Sequence, residues 1–109
     1  MLEYIYSVYD RKAQYYLPIF TRRSDADAQR QFAEIVATSD TPISKYPADF
    51  DLVRLGTIDL ETGSIEPEHP MGLLINGLVS LQALNAERKR YSQSLGEQVD
   101  IETFIAEQS

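Results

Sequence analysis

Between Leu2 and Glu66 the hydrophobic period of the chain changes from two to about 3.6 and back to two, a sequence of periods that specifies strands, then a helix, then strands. From Leu2 to Tyr9, β-branched and aromatic residues alternate, with Leu2, Tyr4, Tyr6 and Val8 on one face and Ile5, Ser7 and Tyr9 on the other. Asp10-Arg11-Lys12-Ala13 supplies a polar turn. Gln14 to Phe20 is apolar again, so the pair predicts a hairpin whose second strand ends near Pro18. Ser24, three residues before Asp27, has the spacing of a helix cap. Beyond it Ala28, Phe32, Ile35 and Val36 form one apolar stripe, with Asp27, Arg30, Gln31 and Glu34 facing away. Thr41-Pro42 stops this helix, because proline lacks an N–H and biases the residue before it away from helical geometry.

A turn-rich connection, Ile43 to Pro47, leads to a strand over Asp51 to Ile58. Asp59 to Gly63 has turn chemistry, Ser64 to Glu66 returns, and Pro67 and Pro70 are expected to end the sheet. The spacing of Leu74, Leu78 and Leu81 predicts a helix from about Asn76 to Tyr91, weakened at its start by Gly72 and Gly77. A short turn with Ile101, Phe104 and Ile105 on one side is expected between Asp100 and Gln108. The expected fold is α+β: a hairpin, an amphipathic helix and a hairpin forming an antiparallel sheet packed on one helix, with a C-terminal helical tail. Residues 1–68 form the ββαββ core and residues 69–109 a helical, partly flexible acidic tail.

A length of 109 residues suits one core, and 43% hydrophobic with 25% charged residues is the make-up of a globular chain folding in water. The most apolar window, Met71 to Leu84, is too short to span a bilayer and carries Asn76, Ser80 and Gln82, so no membrane segment is expected. The N-terminus has no basic region leading into an apolar run, hence no signal peptide is read. The absence of cysteine excludes disulfides, thiolate zinc sites and cysteine nucleophiles. Residues 1–58 carry seven Lys/Arg against eight Asp/Glu, for −1, and residues 59–109 three against nine, for −6. Charge alone therefore disfavours DNA binding, since phosphate neutralisation normally requires a basic excess.

Catalytic groups are few. His69, between Glu68 and Pro70, has no partner at a metal-binding spacing and reads as a solvated histidine. Asp25 and Asp27 read as first-turn helix acids, and neither they nor Glu66 and Glu68 define a metal or acid–base pair. Isolated Gly56 and Gly63 make no phosphate loop. The expectation is a binding protein, not an enzyme, with no cofactor and no metal. What remains is an aromatic and basic group: Tyr9, Arg11, Lys12, Tyr15, Tyr16, Arg22, Arg23 and Arg54. Tyrosines on a hairpin can stack unpaired bases while flanking cations meet phosphates, as single-strand binders do.

The order of several segments resembles the small nonstructural protein of gokushovirus-type microviruses. Tyr6-Ser7-Val8-Tyr9-Asp10-Arg11-Lys12-Ala13 is similar to that family's opening strand and turn. Tyr16-Leu17-Pro18-Ile19-Phe20 with Ser24 to Ala28 is similar to its second strand and helix start. Tyr46 to Leu52, Leu55 to Asp59 and Glu61-Thr62-Gly63 resemble its second hairpin, and the tail from Pro67 lies outside the resemblance. The resemblance implies a nonstructural phage protein of the host cell cytoplasm that binds single-stranded DNA during genome synthesis or packaging. The competing expectation is a scaffold or adaptor that self-associates, or docks on a host or phage protein, through Leu74, Leu78 and Leu81.

Overall fold

Strand β1 (Leu2–Asp10) is the spine of the fold, bonded along one edge to β2 (Tyr15–Tyr16) and β3 (Phe20–Arg22) and along the other to β4 (Phe50–Asp59). The structure, a computed structural model, describes the backbone of residues 1–38 and 40–108 and side-chain surroundings for residues 1–38 and 40–93. Strand β5 (Ile65–Asn76) pairs with β4, giving an antiparallel sheet of order β2-β1-β4-β5 with β3 beside β2. The chain is thus α+β, as its pattern of periods requires.

The expected second strand is split in two. Pro18 has no N–H to give to the ladder, so pairing lapses between Tyr16 and Phe20. There the Ser7 hydroxyl donates to the Leu17 carbonyl at 2.6 Å. The first turn is closed by Asp10, whose carboxylate accepts the N–H groups of Lys12 and Ala13 at 3.0 and 3.1 Å.

Helix α1 (Asp25–Thr38) begins as its cap predicts, with Ser24 Oγ accepting the Asp27 N–H at 3.2 Å. It lays Ala28, Phe32 and Val36 against Tyr6, Val8, Phe50 and Leu52 of the sheet. Each large side chain removed from water there contributes about 1.5–3 kcal/mol before entropy. Gln31, expected to face solvent, is half-buried, and its Oε1 is enclosed with no hydrogen-bond partner. The connection after α1 is more ordered than a turn-rich loop: α2 (Pro42–Lys45) and a 3-10 turn at Pro47–Asp49 bring Ile43 into the core.

The main departure lies at β5. Pro67 and Pro70 do not end the sheet, and the expected boundary at residue 68 falls inside a strand that runs on to Asn76. Two conditions permit this. β5 is an edge strand, where a missing N–H costs no ladder bond on the open side. The register also jumps between Gly56↔Pro67 and Arg54↔Gly72, so Glu68 to Met71 bulge out of the pairing. His69 stands in that bulge and is exposed.

Helix α3 (Gly77–Gln108) is one continuous helix. The expected separate turn at Asp100 to Gln108 is part of it, and the facing of Ile101, Phe104 and Ile105 lies outside the described side chains. Asn76 caps its start, with Oδ1 accepting the Leu78 N–H at 2.9 Å. Gly77 is needed because a Cβ there would fall 2.2 Å from the Pro47 carbonyl oxygen. The anticipated stripe of Leu74, Leu78 and Leu81 is not one free helical face. Leu74 belongs to β5, Leu74 and Leu81 pack against the core, and Leu78 remains exposed.

Candidate nucleic-acid interface

Side-chain alternation along β1 and β4 gives the sheet one helix-covered face and one that no described helix covers. Tyr6, Val8, Phe50 and Leu52 point towards α1. Ser7, Tyr9, Asp51 and Val53 point the other way. On this second face Tyr9 and Tyr16 are cross-strand partners with ring centroids 4.8 Å apart and planes tilted by 43°. The Tyr16 hydroxyl reaches across the sheet to the sulfur of Met71 on β5 at 3.5 Å, so its ring lies over the surface. Tyr16, Met71 and Leu73 are all exposed, an apolar strip with a phenolic edge.

Arg11 is fixed beside this strip. Its Nε donates to Asp51 Oδ2 at 2.6 Å, and its backbone N–H to the Asp49 carbonyl at 2.8 Å. Asp51, buried at the sheet surface, is also held through Oδ1 by Asn76 Nδ2 at 2.8 Å. The same Nδ2 donates to the Ala48 carbonyl at 2.9 Å. The hydrogen bond and charge of Asp51 raise the Arg11 pKa above its ordinary value. The guanidinium is thus oriented from behind through one nitrogen, and among the described residues its two Nη groups have no hydrogen-bond partner. Lys12, next in the turn, is exposed.

The eight sequence candidates divide. Tyr9, Arg11 and Tyr16 come together at the β1–β2 end of the uncovered face, and Lys12 is exposed in the adjoining turn. Tyr15 neighbours Tyr16 in the same strand and so projects to the opposite side, exposed. Arg22 lies over the Phe20 ring at 5.5 Å on the helix-covered side, and Arg23 is exposed just before α1. Arg54 is consumed by the fold: it bonds Asp25 and Glu68 and stacks over Tyr4 at 5.3 Å. Asp51 and Asn76, which position Arg11, had no signal in the sequence beyond strand and helix termini, because their pairing joins segments far apart in the chain. Met71, which the pattern places in the tail of residues 69–109, lies instead in β5.

Among the described residues no group of three or more His, Cys, Asp or Glu is arranged to hold a metal ion. No described helix is long and apolar enough to cross a membrane.

A family model described as Phage ORF5 protein matches residues 3–80, from β1 into the first turn of α3. Protein ORF5 of Chlamydia phage 1 is 37% identical over 68 residues, covering 59% of this chain and 71% of that protein. No solved structure gives a significant match.

Proposed function

The chain belongs to the Phage ORF5 protein family of microviruses, and on that premise we propose that it binds single-stranded DNA in the host cell cytoplasm during genome synthesis or packaging. The observation that carries this reading is the Tyr9–Tyr16 ring pair on a helix-free sheet face, beside an arginine whose outer nitrogens are open. Bases stack on such rings irrespective of sequence, and oriented guanidinium groups meet phosphate oxygens. The interface so read comprises Tyr9, Arg11, Lys12 and Tyr16, with Arg22 and Arg23 outside it and Arg54 structural. The role is binding, not catalysis.

The net charge of −7 weighs against a large electrostatic footprint, and most of that charge belongs to residues 59–109. Of the carboxylates around Arg11 and Lys12, Asp10 is engaged by the N–H groups of its own turn and Asp51 by Arg11 and Asn76, while Asp49 adds a further negative charge beside Arg11. A small site with two cations therefore binds weakly, with a modest salt dependence of about −1.4 in log K against log salt. Fluorescence anisotropy of a labelled single-stranded oligonucleotide, at low and at physiological salt, tests this. Binding that weakens with salt is expected; no binding at low salt and high protein concentration removes the reading.

A further inference from the structure

Resting on the DNA-binding function, we propose that the grip of Arg11 on a backbone phosphate is coupled to the seating of α3, with Asn76 as the positioning residue that joins them. Asn76 is the last residue of β5 and the cap of α3. The two ends of its side-chain amide serve different elements. The oxygen accepts the Leu78 N–H at 2.9 Å and so starts the helix. The nitrogen donates to Asp51 Oδ1 at 2.8 Å and to the Ala48 carbonyl at 2.9 Å, with the Phe50 carbonyl at 3.4 Å. Asp51 is 6% exposed, so its carboxylate must be satisfied from within the protein, Oδ1 by Asn76 and Oδ2 by Arg11 Nε. With Nε occupied, the guanidinium presents its outer edge, Nη1 and Nη2, two parallel donors suited to two oxygens of one phosphate. Holding that edge in place before the ligand arrives removes part of the ordering cost of binding.

The backbone repeats the link. The 3-10 turn Pro47–Asp49 is held at three successive carbonyls. Gly77 of α3 lies so close to that of Pro47 that a Cβ would fall 2.2 Å from the oxygen. Asn76 bonds that of Ala48, and the Arg11 N–H bonds that of Asp49 at 2.8 Å. Unseating the first turn of α3 would therefore release Ala48 and Asp51 together and leave the Arg11 side chain unfixed. Leu81, one turn further into α3, packs against the core on the α1 side of the sheet, whereas Arg11 is anchored to Asp51 on the uncovered face. An oligonucleotide on that face lies across the sheet from Leu81, so any effect it has on the helix passes through Asn76 and the turn. Coupling of this kind is reciprocal: a phosphate that holds Arg11 also holds the start of α3.

Asn76→Ser keeps a capping oxygen and removes the amide donors without changing charge, and Arg11→Lys keeps the charge and removes the fork. Each is expected to weaken binding of a labelled single-stranded oligonucleotide about 5-fold, measured where the variant is folded. The double variant is expected to bind no more weakly than Arg11→Lys alone, because lysine offers no fork to orient. Hydrogen exchange reads the reciprocal effect. Saturating oligonucleotide is expected to slow exchange of the Leu81 to Leu84 amides about 2-fold or more in the parent and to leave it unchanged in Arg11→Lys. This measurement needs no Asn76 variant, so it decides even where Asn76→Ser costs stability. Losses that add in the double variant, or helix amides indifferent to oligonucleotide in the parent, would overturn the coupling while DNA binding stands. A parent that binds no oligonucleotide at low salt removes both.

Discussion

Arg54 holds Glu68 through two parallel hydrogen bonds, Nε to Oε2 at 2.7 Å and Nη2 to Oε1 at 2.8 Å. Its remaining nitrogen, Nη1, donates to Asp25 Oδ2 at 2.6 Å, and Asp25 Oδ1 accepts the Tyr6 hydroxyl at 2.7 Å. One side chain thereby ties β4 to β5 and both to the first turn of α1. It does so where the β4–β5 ladder is interrupted, so the fork replaces backbone bonds that the bulge removes. The same contacts hold the Arg54 pKa above its ordinary value, and burial with the Asp25 bond pushes the Tyr6 hydroxyl up.

Replacing Arg54 should therefore act on stability and leave the proposed interface alone. Arg54→Met is expected to lower unfolding free energy by about 1–3 kcal/mol, since it leaves two carboxylates facing each other without their cation. Oligonucleotide affinity should stay within about 2-fold of the parent once folding is complete. Urea denaturation alongside anisotropy separates the two effects. A large loss of affinity with unchanged stability would return Arg54 to the interface.

Glu68 makes part of that stability dependent on pH. The bonds and charge of Arg54 hold its carboxyl below the ordinary 4.5. A carboxyl that is more acidic when folded stabilises the fold fully above its unfolded value, and that contribution is lost as pH falls through the folded value. The gap in urea midpoint between the parent and Glu68→Gln should be constant above about pH 5 and close in stronger acid. A gap that widens on acidification would contradict the assignment.

How far the sequence reaches is clear from individual residues. The periods of β1 and α1 identify Tyr6, Val8, Phe32 and Val36 as core, because each element buries one face and local spacing records which. Pro67 and Pro70 misled, since a proline signals the end of a central strand but not of a bulged edge strand, and only the sheet order distinguishes the two. Leu74 was drawn into the helical pattern for the same reason. Arg54 and Arg11 looked alike as cations, yet one is enclosed by carboxylates and the other keeps its outer nitrogens open. That difference arises from contacts between distant segments, which spacing along the chain does not encode.

Gly77 tests the junction on which α3 depends. Alanine is the better helix former by about 1 kcal/mol, so intrinsic propensity predicts that Gly77→Ala stabilises. The close approach of Pro47 predicts the reverse, because the new methyl would meet a backbone carbonyl held in the 3-10 turn. Overpacking of this kind costs about 1–3 kcal/mol, so a net loss is expected in thermal or urea unfolding. A gain in stability would mean that the Pro47 turn yields.

Tyr16 is the residue on which the proposed interface is most exposed to test. It is 42% exposed, pairs with Tyr9 and contributes nothing to the main core cluster, so Tyr16→Leu should fold normally. If one base stacks on its ring, the loss of about 1–3 kcal/mol corresponds to roughly 5- to 150-fold weaker binding of a single-stranded oligonucleotide. Tyr15→Leu, on the opposite side of the same strand, is the control and should change affinity little. Lys12→Gln should act differently from either. It removes a phosphate contact, so affinity falls for every sequence and the slope of log K against log salt shrinks by about 0.7. Equal effects at Tyr15 and Tyr16 would mean that binding does not discriminate between the two faces of the sheet. The helix-free surface would then lose its claim as the site.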